Sequence, residues 1–214
     1  VITLNGTSPV TVECGGSYTD AGATAVDACA GSIAVTPSGS VNVNVVGTYT
    51  ITYTANDGNG NTATATRTVN VVDTTPPVIT LNGDSVVTVQ CGSTYTDAGA
   101  TATDVCAGDR PVTVTGSVNA NAVGTYTLTY TANDGNGNNA TPVTRTVNVV
   151  DTQAPVITLN GNATETVECG GTYTDAGATA VDACAGSVAV TTSGSVNASQ
   201  PGTYTLTYTA NDGN

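Results

Sequence analysis

The 214 residues predict an antiparallel all-β chain built as three similar domains in tandem. Two observations carry that reading, a fixed internal repeat and an alternation of apolar and polar residues with a period of two. Val-Ile-Thr-Leu-Asn-Gly begins at Val1, Val78 and Val156, and Tyr-Thr-Asp-Ala-Gly-Ala-Thr-Ala begins at Tyr18, Tyr95 and Tyr173. Gly-Thr-Tyr-Thr recurs from Gly47, Gly124 and Gly202, each time leading into Ala-Asn-Asp-Gly-Asn. The domains are therefore 1–77, 78–155 and 156–214. Asp73-Thr-Thr-Pro-Pro77 and Asp151-Thr-Gln-Ala-Pro155 act as short linkers stiffened by proline, which fixes φ and removes a donor. The third copy stops at a position equivalent to Asn59, so its last strand is expected to be missing. Continuation of a longer array would supply that strand, and so would a strand donated by a neighbouring subunit.

Each element of the repeat follows from local pattern. In Thr48 to Thr54, Tyr49, Ile51 and Tyr53 fall on one face and Thr on the other, the mark of a half-buried strand. Asn56 to Asn61 is a dense turn signal and Thr62 to Val72 is a second long β-rich run, so the two runs predict a hairpin. Val1–Asn5, Val10–Cys14, Ala23–Val26, Ile33–Thr36 and Ser40–Val43 are shorter strand candidates. No stretch carries helical apolar spacing. About seven short antiparallel strands in a repeat of this size predict an immunoglobulin-like sandwich. The absence of Trp sets it apart from antibody domains.

Composition narrows the function. The chain has no His, Met, Trp or Phe, and its three basic residues are all Arg (Arg67, Arg110 and Arg145). A net charge of −13 repels a phosphate backbone, which excludes nucleic-acid binding. No apolar run approaches the roughly 20 residues of a membrane helix, so membrane insertion is not expected. Without His or Lys neither a catalytic triad nor a Schiff base can be assembled, and an enzyme is not expected. Lys–Asn cross-links are excluded for the same lack of Lys. Outward Thr rows permit an ice-binding reading, but the twist of sandwich strands spoils a flat lattice match.

Each repeat carries two cysteines at one spacing: Cys14 and Cys29, Cys91 and Cys106, Cys169 and Cys184. An even count in a chain of exported character reads as disulfides, and the spacing predicts one bond within each repeat, closing a loop of about 15 residues for roughly 3 kcal/mol. Zinc is the competing reading, without His or any Cys-x-x-Cys pair to support it.

Asp recurs in register at Asp20, Asp97 and Asp175; at Asp27, Asp104 and Asp182; at Asp57, Asp134 and Asp212; and in the linkers at Asp73 and Asp151. In an immunoglobulin-like sandwich the linker meets the pole that holds these turns. Asp73 is expected to converge with Asp97, Asp104 and Asp134, and Asp151 with Asp175, Asp182 and Asp212; Asp20, Asp27 and Asp57 are their counterparts in the first repeat. Such a group suits Ca²⁺, which takes six to eight oxygens. Asp before Gly is also an ordinary turn residue, and that reading stands beside the metal. The Asp-Gly-Asn-Gly-Asn string is not an EF-hand loop, because Thr62 and Thr68 stand where its Gly and Glu belong.

The strings from Tyr95 to Asp104 and from Gly124 to Asn138 resemble the immunoglobulin-like repeats of bacterial surface proteins, close to hyalin-type repeats. The resemblance implies tandem extracellular modules of adhesins, stalks and surface fibres, with no catalytic residues. A structural rod at the cell surface is the leading expectation, its partners being neighbouring copies of the chain or further repeats. The alternative is an adhesin module for glycan or a host surface. It needs an exposed aromatic platform, for which Tyr18, Tyr95 and Tyr173 are the spare residues.

Overall fold

The computed structural model describes residues 1–214, all of them in strands, turns or irregular segments. The chain divides into two compact units. The first comprises Val1–Asn82, Gly99–Val114 and Tyr130–Val143; the second comprises Gly83–Ala98, Thr115–Thr129 and Thr144–Asn214.

In the first unit, repeat 1 forms β1 (Ile2–Leu4), β2 (Val10–Glu13), β3 (Ala23–Asp27), β4 (Gly31–Ile33), β5 (Val35–Ser38), β6 (Gly47–Asn56) and β7 (Thr62–Val72). One sheet has the order β1-β3-β4 and the other β2-β7-β6-β5. The predicted hairpin is β6 and β7, paired over ten positions from Gly47↔Val71 to Asn56↔Thr62. Period-two burial follows from it. Ile51, Tyr53 and Ala55 of β6 and Arg67, Val69 and Val71 of β7 are buried while the intervening Thr face outward.

Two strand expectations change. Ile33–Thr36 is not one strand: it breaks at Ala34 and hands the chain from the first sheet to the second. Ser40–Val43 is not a strand, because the Val43 carbonyl accepts from Gly15 N–H (2.9 Å) and Asn42 Oδ1 closes a turn on Asn44 N–H (3.1 Å). The sandwich is also not wholly antiparallel. β2 runs parallel to β7, in register Val10↔Val69 to Glu13↔Val72. A first-edge strand parallel to the last strand puts the entry of the repeat at one pole and its exit at the other.

The first unit continues with β8 (Val78–Leu81), β10 (Ala100–Asp104) and β11 (Gly108–Arg110), in the order β11-β10-β8. The second unit holds β9 (Val86–Gln90) and the body of a four-stranded sheet with β12 (Thr113–Thr115), β13 (Gly124–Thr131) and β14 (Val143–Val150), in the order β12-β13-β14-β9. Here too the first-edge strand is parallel to the last, β9 to β14.

Repeat 3, in the second unit, forms β15 (Val156–Leu159), β16 (Ala178–Asp182), β17 (Gly186–Val188), β18 (Val190–Ser193) and β19 (Thr207–Ala210). The 214 residues hold no counterpart of β7 there, and two consequences are visible. The segment equivalent to β2 is not a strand, having no parallel partner, and β19 has four residues where β6 has ten. Tyr208 is half-buried, whereas its counterparts Tyr53 and Tyr130 are each 1% exposed.

In all three repeats a tyrosine hydroxyl donates to a carbonyl four residues upstream: Tyr49 to Val45 (2.9 Å), Tyr126 to Ala122 (2.9 Å) and Tyr204 to Gln200 (3.1 Å). This is the tyrosine corner of immunoglobulin-like sandwiches.

Candidate functional site

The cysteines pair between repeats, which corrects the expected pairing within them. Cys14 is bonded to Cys106 and Cys91 to Cys184, across 92 and 93 residues, with Cα–Cα separations of 5.6 and 5.3 Å. Cys29 and Cys169 are exposed free thiols. The two poles explain the pattern. Cys14 directly follows β2 beside the exit, its N–H donating to the Val72 carbonyl (2.7 Å). Cys29 lies beyond Val26, whose N–H donates to the Val1 carbonyl at the entry (2.9 Å). The 11-residue β7 that runs between the poles is roughly 36 Å long, and a disulfide tolerates about 7 Å between Cα atoms. Cys106 occupies the entry pole of repeat 2, where the linker delivers Cys14.

The same turn gathers acids. Asp104 Oδ1 accepts the N–H groups of Cys106 (2.8 Å) and Ala107 (2.7 Å). Its Oδ2 is buried and has no hydrogen-bond partner. Asp73, Asp104 and Asp134 each offer a carboxylate oxygen within 4.8 Å of the others, and so do Asp151, Asp182 and Asp212. Asp134 and Asp182 are buried, at 2% and 4% exposure. Asp134 Oδ1 accepts from the backbone of Asn136 (2.7 Å), Gly137 (3.0 Å) and Asn138 (3.0 Å), and its Oδ2 accepts from Asn138 Nδ2 (2.5 Å). Burial alone would raise the Asp134 pKa, but these donors hold it below the ordinary carboxylate value. Asp182 is held low chiefly by the N–H groups of Ala185 and Cys184. Asn136 and Asn138 donate in turn to Asp73 Oδ2 (2.8 Å) and to the Asp73 carbonyl (3.0 Å). In repeat 1, Asp27 and Asp57 keep the same turns, and each has a lowered pKa from hydrogen bonds, to Ala30 and Cys29 N–H and to Asn61 respectively.

Asp97 and Asp175 do not join these groups, and Asp20 does not join Asp27 and Asp57. β10 separates Asp97 from Asp104, one at each end of the strand. Asp20 forms an ion pair with Arg67, and Asp97 with Arg145. Arg67 is 1% exposed and donates also to the carbonyls of Asn5 and Gly22, and its guanidinium lies 5.5 Å from the centre of the Tyr53 ring. Tyr53 hydroxyl donates to Asp20 Oδ1 (2.5 Å). Burial would raise the Asp20 pKa, but the Tyr53 hydroxyl, Gly22 N–H and Arg67 together hold it low. Asp175, in the repeat without a β7 counterpart, accepts from the Tyr208 hydroxyl instead. The inward Arg was legible as the single base in an alternating run, in register with Val69 and Val71.

The sequence reading also missed a clamp on each linker. Glu13, next to Cys14, accepts from Thr74 N–H (2.7 Å), Thr74 Oγ1 (2.9 Å) and Thr75 Oγ1 (3.0 Å). Gln90, next to Cys91, donates to Asp151 Oδ1 (3.0 Å) and accepts from Thr152 Oγ1 (2.8 Å). Tyr18, Tyr95 and Tyr173 are half-buried, and the first two donate to Asp20 (3.2 Å) and Asp97 (3.3 Å), so they form no exposed platform.

Comparison with known proteins places this geometry. Residues 2–71, 79–149 and 157–214 each match the family described as bacterial surface protein, Ig-like domain. The chain belongs to this bacterial surface Ig-like family. It is 35% identical over 157 residues to hyalin of Strongylocentrotus purpuratus, an alignment that covers 68% of this chain and 13% of hyalin. Among solved structures it is similar to the fibronectin(III)-like modules of CbhA from Clostridium thermocellum, at 15% identity and a TM-score of 0.28, over 71% of this chain and 95% of that one. As a surface Ig-like chain its repeats are structural or adhesive modules, and the residues that recur in them serve turns, ion pairs and the joints between repeats.

Proposed function

We propose that the chain is an extracellular stretch of a tandem-repeat rod, part of a surface fibre or adhesin stalk, whose joints are each locked by a disulfide and a Ca²⁺ ion. The observation that carries this reading is the coincidence of three devices at one joint: the disulfide, the clamped linker and the three-Asp group. Asp104 supports the ion most directly, since a buried carboxylate oxygen without a partner is costly unless a cation meets it. Three carboxylates, with amide and main-chain oxygens nearby, form the all-oxygen donor set Ca²⁺ prefers. The net charge of −13 adds to the attraction. Two disulfides fit an oxidising compartment outside the cell.

The test is thermal unfolding of the chain in Ca²⁺ and then in excess chelator, with small-angle scattering to follow its length. Ca²⁺ at a hundred times its Kd stabilises each site by about 2.7 kcal/mol, which raises Tm by several degrees. Equal melting and equal length in both conditions would sink the bound ion. The glycan-binding alternative lacks its required feature, since the spare tyrosines are half-buried.

A further inference from the structure

We infer that the disulfide and the Ca²⁺ of a joint are coupled sites. Cys14–Cys106 is the redox switch of the group Asp73, Asp104 and Asp134, which binds the ion tightly while the bond is closed and weakly once it is reduced. This rests on the bound ion proposed above and adds its regulation.

The three acids are not held alike. Asp104 and Asp134 belong to repeat 2 and sit in turns that the local backbone closes, Cys106 N–H donating to Asp104 (2.8 Å) and Asn136 N–H to Asp134 (2.7 Å). Asp73 arrives from outside, on the linker, and the dipeptide Glu13-Cys14 grips it from both sides. Cys14 N–H donates to the carbonyl of Val72, the residue before it (2.7 Å). Glu13 accepts from the N–H of Thr74, the residue after it (2.7 Å).

The disulfide joins these two halves. One end is Cys14, whose main chain holds the linker. The other is Cys106, whose N–H holds Asp104 Oδ1 and so leaves the buried, unpartnered Oδ2 for the ion. With the S–S bond open, Asp73 is tied to repeat 2 by the linker backbone and by Asn136 and Asn138, which donate to its Oδ2 (2.8 Å) and its carbonyl (3.0 Å). The ion must then order a ligand that the bond had ordered in advance, so affinity drops without vanishing. Linkage makes the effect reciprocal: an ion that prefers the closed form protects the bond by the same factor.

The second joint follows the same path with a different side chain. Cys91 N–H donates to the carbonyl of Val150, the residue before Asp151 (2.8 Å), and Gln90 Nε2 donates to Asp151 Oδ1 (3.0 Å). Cys184 N–H donates to Asp182 Oδ1 (2.6 Å). One path built on Glu13 in one joint and on Gln90 in the other is a property of the joint and not of either residue.

Reduction enters through Cys106, which is half-buried, whereas Cys14 is 6% exposed. With glutathione as reductant, a glutathione thiolate attacks Cys106 Sγ and expels Cys14 as its thiolate. A second glutathione thiolate then displaces Cys106 from the mixed disulfide. Two glutathione thiols supply two electrons and two protons, the protein bond becomes two thiols, and one glutathione disulfide forms.

The test uses the 214-residue chain with Cys29→Ser and Cys169→Ser, which removes the free thiols that could reshuffle the bonds. Ca²⁺ is titrated by calorimetry into the oxidised chain and into the chain reduced with dithiothreitol, with circular dichroism following the strands in both. Affinity is expected to fall about 5- to 150-fold on reduction, the usual span for coupled sites.

A reciprocal measurement starts from folded, oxidised protein and stands even where full reduction unfolds it. The chain is equilibrated in glutathione buffers of graded ratio, with Ca²⁺ or with chelator, and each bond is read by alkylation and peptide mass. Ca²⁺ is expected to move the Cys14–Cys106 midpoint to more reducing potential, by about 30 mV for each tenfold of coupling. In Asp104→Asn that shift should vanish while the shift at Cys91–Cys184 remains.

Equal Ca²⁺ affinity in both redox states, or equal midpoints with and without bound Ca²⁺, would overturn the coupling and leave the bound ion standing. An oxidised chain that takes up no Ca²⁺ removes the ion itself, and the coupling with it.

Discussion

Asp104 Oδ1 accepts the N–H of Cys106 at 2.8 Å, while Asp104 Oδ2 lies buried without a hydrogen-bond partner. One turn therefore carries both the sulfur that ties repeat 2 to repeat 1 and a carboxylate aimed at the linker acid. The first prediction follows. Asp104→Asn keeps an oxygen for the turn and removes a charge from the ion site, so Ca²⁺ affinity should fall at least tenfold, about 1.4 kcal/mol, by calorimetry. Melting in chelator should change little. An unchanged Ca²⁺ affinity would exclude Asp104 as a ligand.

Arg67 is the largest fully buried side chain of the first unit, and it holds Asp20 and two carbonyls. Arg67→Met leaves the Asp20 carboxylate without its cation, and breaking such a pair costs about 3–5 kcal/mol. Denaturant unfolding should show a loss in this range. A loss below about 1 kcal/mol would mean that Arg67 fills space and little else.

Alkaline pH should loosen the same cluster. Burial, with the hydrogen bond to Asp20 second, pushes the Tyr53 phenol up to about 12. The folded state therefore keeps its proton more tightly than an unfolded Tyr of pKa about 10. The stability it contributes is fully present below pH about 10 and is lost as pH rises through about 12. Circular dichroism and phenolate absorbance followed together should show late-ionising Tyr coincident with loss of structure.

Acid acts with the opposite sign. Asp20, Asp27, Asp57, Asp134 and Asp182 all have folded pKa values below the ordinary 3.8. Their contribution is present above that value and is lost as pH falls below it. Tm should be level from pH 5 to 8 and drop below about 4. A level Tm down to pH 2 would contradict these shifts.

Gly92→Ala probes the joint sterically. It places a Cβ at φ +80° and 2.9 Å from the Ala183 carbonyl oxygen. A left-handed non-Gly residue costs about 1–3 kcal/mol, and the contact adds to it. Gly170→Ala carries the same φ penalty but meets nothing within 4 Å, so it should be the milder variant. Equal losses would remove the packing argument.

The sandwich and its hairpin were legible because period-two alternation runs from Thr48 to Val72 and recurs in the second repeat, while the third repeats its first strand. The parallel pairing of β2 with β7 was not, since strand composition carries no direction. The cysteine partners were hidden by the repetition itself. A bond from Cys14 to Cys29 and one from Cys14 to Cys106 involve the same two kinds of position one period apart, and only the poles of the sandwich distinguish them. For the acids, register along the repeat is enough to bring the linker Asp73 to Asp104 and Asp134. Asp97 was misplaced because seven residues along an extended strand carry it to the other end of β10 and into reach of Arg145.

The staggered disulfides also fix how the chain answers a pulling force. Tension entering at Cys14 crosses to Cys106, runs back through fifteen residues to Cys91, and crosses to Cys184. That covalent shortcut, two disulfides included, reaches about 60 Å fully stretched, against about 600 Å for the 170 residues of backbone it bypasses. Even with every strand torn apart, the stretch between Cys14 and Cys184 would yield little slack. It behaves as a strap that holds its length under load, and only a reductant turns it into a spring.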